Sequence, residues 1–452
     1  MSGINRMIRM KDTTKHVIVI GGGFAGINFV KHLGKDKRFT ITLVDRNNYH
    51  FFPPLVYQVA AAFIESSNIS YPFRRLFQEK SHIRFHMGEV KRIDPTEKKV
   101  ETTTGSLSFD YLVLAMGTGT NYFGFENIAK YAMPMKTLDD AMNLRNHILL
   151  RMECAVRTMD PFERDKALNI VIAGGGPTGV ELAGILAEMG REIVVKEYPE
   201  LTDLKSHLYI INSAPVLLPP MSEKAQREAY KVLDKLGAKI ILNTKVVDYV
   251  SGNVQLSTGE TIPTDTLIWT SGVVGVRVEG LPEEAIVHGG RIKVDASNRV
   301  MHTESIFALG DQCLLTDDKN YPEGHPQVAQ VAIQQGRLLG KNLSRLLSDK
   351  PMQPFAYRNK GTMAIISKYR AVADLPKGFL RGSIAWVSWL FVHIIPLISF
   401  RNKFVLATNW AWSFITNDPT LRLILRPNKE ETEPQDEAHG NEDNRHPLSN
   451  RG

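Results

Sequence analysis

Two glycine-rich turns constrain this chain more than any other feature. Residues 17–26 read VIVIGGGFAG, and residues 171–184 read VIAGGGPTGVELAG. In each, a run of apolar, β-branched residues enters a glycine cluster and a helix-like segment leaves it. At such a turn the first glycine permits the bend, the second lets the backbone approach a pyrophosphate, and the third lets helix pack on strand. The helix N-terminus adds free N–H groups and positive potential. The triplets are Gly21, Gly23 and Gly26 in the first copy and Gly174, Gly176 and Gly179 in the second. A chain with two cradles is expected to hold two dinucleotides.

The surroundings repeat as well. Strand signals at 16–20 and 40–45 bracket a helical signal at 23–33, and a strand at 111–115 ends in a Met116-Gly117 turn. The pattern restarts at 169–173, with further strands at 208–212, 239–242 and 266–270, the last running into Ser271-Gly272. A strand at 306–309 delivers Gly310-Asp311, and a long helical signal follows at 328–347. Strands alternating with helices indicate parallel sheets, and 452 residues exceed a single core. The expected fold is α/β, with two Rossmann-like dinucleotide-binding domains. Because the Gly310-Asp311 strand lies beyond the second cradle, the first domain is expected to be split by the second. The boundaries are 1–125 for the first part of a flavin domain and 126–296 for the inserted nicotinamide domain, whose Rossmann core is 168–296. Residues 297–350 complete the flavin domain, 351–426 form a C-terminal region, and 427–452 are an acidic tail expected to be disordered.

The second strands end differently. Asp45 closes the strand after the first cradle, where a carboxylate would hold ribose hydroxyls. Asn212 takes the equivalent place after the second cradle; an amide can bond a ribose hydroxyl but does not repel a 2′-phosphate. No Lys or Arg follows at Ser213-Ala214-Pro215, so NADH is expected and NADPH is left open. Two dinucleotides on one chain imply electron passage from an exchanging nicotinamide to a retained flavin, with Asp311 placed to meet the ribityl chain.

Charge is uneven. The whole chain is +7, yet residues 355–426 hold 10 Lys/Arg against 2 Asp and carry four of the five tryptophans. The run GSIAWVSWLFVHIIPLISF at 382–400 is uncharged, at the lower length of a membrane span, but contains His393 and Pro396 and is flanked by Arg381, Arg401 and Lys403. A second apolar run at 404–416 contains Trp410 and Trp412. Together they are expected to form amphipathic helices lying on an anionic membrane surface through residues 380–426, with a buried subunit contact or a true span the alternatives. No nucleic-acid partner is expected. The two cysteines, Cys154 and Cys313, form no CxxC pair, which excludes a disulfide framework and a local dithiol centre. The opening residues show no apolar secretory core, so cytosolic folding is expected.

The chain resembles the two-dinucleotide-binding flavoproteins, and within them the type II NADH dehydrogenases, non-pumping NADH:quinone oxidoreductases. The specific motifs are GVELAG at 179–184, AQVAIQQG at 329–336 and GTMA at 361–364 before the Trp-rich helices. The resemblance implies tightly bound, non-covalent FAD on Gly21, Gly23, Gly26, Asp45, Met116, Gly117, Gly310 and Asp311. It implies NADH on Gly174, Gly176, Gly179 and Asn212, with Gly272 near the nicotinamide. It further implies that Gln330 and Gln334, four apart on one helix face, line a quinone pocket, and that Glu181 sits by the nicotinamide. Ser367-Lys368 departs from the Gly-Arg common in the family. A respiratory-chain enzyme on the cytoplasmic face of the inner membrane follows, peripheral and monotopic, with homodimer formation left open. Its rivals are a sulfide:quinone oxidoreductase, which needs a cysteine pair at the flavin, a ferredoxin-type reductase, and a flavin-binding redox sensor or interaction protein with little turnover.

Overall fold

The structure is a computed structural model that describes residues 14–191, 195–201, 207–416 and 422–425. The acidic tail at 427–452 lies outside the described residues. The first βαβ unit comprises β1 (Lys15–Ile20), α1 (Phe24–Leu33) and β2 (Phe39–Asp45), followed later by β3 (Tyr111–Leu114). The second comprises β4 (Ile170–Ala173), α2 (Pro177–Met189), β5 (Leu208–Ile211) and β6 (Thr266–Trp269). The chain then supplies β7 (Ile306–Ala308) and α3 (Ala329–Leu346).

Each unit builds a five-stranded sheet. In the first the order is β7-β3-β1-β2 with Ile83–Met87 at the edge, and every pairing is parallel. The second runs from Met133–Pro134 through β6, β4 and β5 to Lys239–Ile241, again all parallel. β1 and β4 are central, so both their faces are covered, and Val17, Ile18, Val19, Val171 and Ile172 are fully buried. β7, which follows the second unit in sequence, pairs with β3 of the first. The first sheet is therefore interrupted by the second, as the position of Gly310-Asp311 suggested. α3 packs on α1, where Gly336 and Gly340 let the two backbones come close.

Two antiparallel strands, Thr118–Thr120 and Val273–Gly275, join the units. The C-terminal region adds β8 (Thr362–Ser367), β9 (Arg370–Leu375) and β10 (Gly378–Arg381), an antiparallel sheet, then α4 (Gly382–Ile394) and α5 (Phe400–Thr416). β8 lies directly on α2: any side chain at Gly184 would collide with the Ile366 carbonyl. Among the described residues, no helix is long and apolar enough to cross a membrane.

The tryptophans depart from the sequence expectation. Trp386, Trp389 and Trp410 share a core with Tyr57 and with Val180 and Leu182 of α2, and Trp389 is fully buried; only Trp412 of the four is exposed. The outer faces instead carry Ile384, Val387 and Phe391 on α4, Ile395 at its C-cap, and Phe400 and Phe404 on α5. Spacings of three and four place each set along one side of its helix. The flanking cations are also partly committed to the protein: Arg381 pairs with Glu228 at 3.3 Å, Lys403 donates to the Ile395 carbonyl at 2.7 Å, and Arg422 pairs with Glu197.

Candidate active site

The first cradle is built around a left-handed residue. Gly21 has φ of +98°, a conformation an L side chain adopts only under strain, and its N–H continues the sheet to the Val44 carbonyl at 2.8 Å. A side chain on Gly26 would strike the Gly21 carbonyl, which fixes the helix against the strand. Gly23 differs: with φ of −72° it is an ordinary N-cap, and a Cβ there would meet nothing within 4 Å. That open space lies at the positive end of α1, and a side chain would fill it, so the cradle fits a phosphate group.

The middle glycine is clamped at both ends. The Gly22 N–H donates to Asp45 Oδ2 at 2.6 Å, and the Gly22 carbonyl accepts from His50 Nδ1 at 2.8 Å. Burial lowers the His50 pKa to about 4, so the ring is neutral and its Nδ1 carries the proton. Asp45 also accepts from the Asn47 N–H, while burial raises its pKa. His50 was not among the residues singled out by sequence, since nothing in a lone histidine after a strand announces a partner in the turn before it.

The second cradle repeats this construction with other residues. Gly174 has φ of +120°, a side chain on Gly179 would strike the Gly174 carbonyl, and Gly176 (φ −75°) faces open space. The Gly175 N–H donates to Asn212 Oδ1 at 3.1 Å, and the Gly175 carbonyl accepts from the Leu218 N–H at 2.8 Å. Asn212 Nδ2 in turn donates to the Val216 carbonyl at 2.7 Å. Asn212 thus does for its turn what Asp45 does for the first, and both atoms of its amide already have a protein partner.

Of the remaining cofactor candidates, Met116 is tied to the turn that follows Gly310 and Asp311, and Gly272 lies apart from them on the strands that join the units. The Met116 N–H donates to Gln312 Oε1 at 3.2 Å, and the Gly310 N–H donates to Gln335 Oε1 at 2.7 Å. The Val276 N–H reaches the Gly117 carbonyl at 3.5 Å and the Asn121 N–H the Gly272 carbonyl at 3.1 Å, so Gly117 and Gly272 flank opposite ends of the ladder that joins the units. Burial raises the pKa of Asp311, against the nearby positive charges of Lys136 and Arg291. Its carboxylate accepts no hydrogen bond from any described side chain or backbone N–H, a deficit that polyol hydroxyls would satisfy.

Glu181 stands apart from these residues, one turn and more into α2. It lines a partly open cavity with Tyr57, Gln58, Ile365, Trp386 and Trp410. Burial pushes its pKa up to about 8, opposed only by a long contact from the Ile365 N–H at 3.4 Å. The carboxyl is therefore mostly protonated at neutral pH and can donate a proton. Ser367 also lines this cavity.

Gln330 and Gln334 are not among the residues lining that cavity. Gln330 Nε2 donates to the Gly361 carbonyl at 2.8 Å and its Oε1 accepts from the Lys360 N–H at 3.1 Å. Gln334 Nε2 donates to the Arg358 carbonyl at 2.9 Å, and its Oε1 accepts from the Arg358 N–H at 3.1 Å. Both glutamines hold the 358–361 segment against α3.

Comparison with known proteins decides the family. The model of the pyridine nucleotide-disulphide oxidoreductases matches residues 15–336, and that of the NDH2 C-terminal domain matches residues 359–417. The type II NADH:quinone oxidoreductase Ndh of Mycobacterium tuberculosis is 33% identical over 415 residues, covering 88% of both chains. The chain belongs to the type II NADH:quinone oxidoreductases. A Staphylococcus aureus member is 29% identical over 371 residues, 80% of this chain and 90% of that one. NDH2 from Plasmodium falciparum, solved in complex with NADH, superposes with a TM-score of 0.82 over 91% of this chain and all of its own at 21% identity, which shows the shared fold. The sulfide:quinone oxidoreductase of Aquifex aeolicus superposes less closely, at 0.67 with 18% identity. In this type II NADH:quinone oxidoreductase chain the cysteines are unpaired, and burial pushes the Cys313 thiol up to about 12. Cys313 is therefore a neutral, packed side chain rather than a sulfide-reactive thiolate.

Proposed function

We propose that this chain oxidises NADH through bound FAD and passes two electrons to a membrane quinone without pumping protons: NADH, a proton and quinone give NAD⁺ and quinol. The observation that carries this reading is the placement of Glu181. The helix that closes the second cradle also carries the buried Glu181 carboxyl into a largely apolar cavity, so nucleotide binding and a candidate proton donor share one element.

Gly21, Gly23, Gly26, Asp45, Met116, Gly117, Gly310 and Asp311 would hold FAD. Gly174, Gly176, Gly179, Asn212 and Gly272 would hold NADH, with NADPH disfavoured by the lack of a neighbouring cation rather than repelled. When bound, the flavin supplies the two-electron chemistry, accepting hydride from nicotinamide and reducing quinone. The chain's own groups orient and protonate. Glu181 donates a proton toward a quinone oxygen. Gln330 and Gln334 keep the 358–361 segment seated, and reach a quinone only if that segment yields. The exposed apolar faces of α4 and α5 bring the cavity to the lipid in which quinones dissolve, on the cytoplasmic face of the inner membrane.

Anaerobic rapid mixing with NADH or NADPH, followed by ubiquinone and menaquinone analogues, tests the reading. Bleaching of the flavin by NADH with reoxidation by quinone is expected. A flavin reduced by NADH that quinones fail to reoxidise would refute it.

A further inference from the structure

Trp410 settles which way a buried amide points. The indole Nε1 of Trp410 can only donate, and it lies 2.9 Å from Gln58 Oε1. The amide oxygen of Gln58 is therefore the atom facing α5, and its Nε2 is the atom facing Tyr57, donating to the Tyr57 hydroxyl oxygen at 3.0 Å. With its oxygen accepting from Gln58, the Tyr57 hydroxyl must send its own proton elsewhere, and among the described residues that proton has no acceptor. Tyr57 is only 3% exposed, and it lines the cavity that contains Glu181. Burial and the nearby acids Glu181 and Glu188 keep its pKa well above that of a free phenol, so the donor persists across the working pH range. A buried donor without a partner is costly unless a ligand completes it.

We propose that the Tyr57 hydroxyl donates the hydrogen bond that holds a quinone carbonyl in this cavity, with Gln58 and Trp410 as the positioning residues that aim it. The acceptor required is a neutral carbonyl oxygen on a flat apolar ring. The walls, Phe63, Ile185, Ile365, Trp386 and Leu390, suit such a ring, and Glu181, Glu188, Ser367 and Lys368 supply the polar part of the lining. This rests on the quinone reading above and adds to it the residue that recognises the substrate.

Tyr57→Phe keeps the ring and removes the hydroxyl. In the FAD-loaded full-length chain, the KM for a short-chain ubiquinone is expected to rise about five- to thirtyfold, the effect of one buried hydrogen bond, while the KM for NADH holds. Binding is read independently by titrating the oxidised protein with quinone, without NADH, through quenching of tryptophan fluorescence; the Kd should rise in step with KM. Trp410→Phe releases the amide of Gln58 and should give a smaller rise, with no further loss when combined with Tyr57→Phe. A Tyr57→Phe protein that binds and turns over quinone as the unmodified chain does would overturn the proposal while leaving the functional reading intact. Simple additivity of the two substitutions would also overturn it, since aim and donor would then be independent. Failure of the unmodified chain to reduce any quinone would overturn both.

Discussion

Glu181 links acid–base chemistry to stability, and the sign of that link can be worked out. Its pKa is raised in the folded chain to about 8, from an ordinary value of 4.5. Between those values the unfolded chain is ionised and the folded chain is not, so stability is full below about 4.5 and falls as pH rises toward 8. Glu181→Gln, neutral at every pH, should remove that slope; thermal denaturation of both proteins from pH 5 to 9 measures it. If the protonated carboxyl serves quinone reduction, turnover of the unmodified chain should also decline above pH about 8, and the variant should be slower but lack that limb. The glycines give a second test. Gly23→Ala places a methyl group in open space at an ordinary φ, so folding should survive while flavin is lost. Gly26→Ala meets the Gly21 carbonyl and should cost roughly 3 kcal/mol or more in stability. Absorbance of bound flavin and the melting temperature separate the two; retention of full flavin by Gly23→Ala would move the pyrophosphate away from this cradle. At this scale Gly21, Gly26, Gly174 and Gly179 were legible because a positive φ or a close backbone approach demands them. His50, Gln58 and Tyr57 were not, because each acts through a partner that only tertiary folding brings near.

Helices and strands were legible wherever local signals agreed. β1, β4 and α3 fell within one or two residues of their expected bounds, since buried central strands and a long apolar-striped helix leave little ambiguity. α4 was read correctly as a helix, but its tryptophans were assigned to the wrong side. Composition says that Trp is present near cations; it does not say that β8 and α2 provide a core for Trp386 and Trp389 to enter. The 358–361 segment is the element whose role sequence could not foresee. Its contacts run to Gln330 and Gln334 of α3, so their spacing on one helix face serves a clamp in this structure. Gln330→Ala removes the bonds to Gly361 and Lys360 and should weaken the clamp by about 1–3 kcal/mol. Hydrogen exchange at the Lys360 and Gly361 amides should accelerate, with melting of the whole chain changed far less. Unchanged protection there would mean that Gln334 and the aromatic neighbours of Tyr357 hold the segment without Gln330.

At the level of the whole molecule, the C-terminal helices are part of the core on one side and carry on the other the exposed apolar residues proposed to meet lipid. Inward, Trp389 and Trp410 pack with Tyr57 and α2, so removing the region would expose the core that shapes the cavity. Outward, Phe391 is 65% exposed, Phe400 82% and Phe404 60%, on helices that among the described residues are not long and apolar enough to span a bilayer. Such faces are unfavourable in water and favourable in the headgroup region, where partial insertion buries them. Of the ten cations in residues 355–426, Arg381 and Arg422 are paired within the protein. Truncation would therefore confound anchoring with folding, whereas surface substitution does not. Phe391→Glu combined with Phe404→Glu should leave the melting temperature near that of the unmodified chain and abolish most sedimentation with liposomes. Raising the salt concentration should weaken binding of the unmodified chain only modestly, since apolar burial supplies most of it. Reduction of a long-tailed quinone presented in vesicles should fall with liposome binding, while reduction of a short water-soluble analogue should persist. Equal loss with both quinones would mean that these phenylalanines shape the cavity rather than its approach to the membrane.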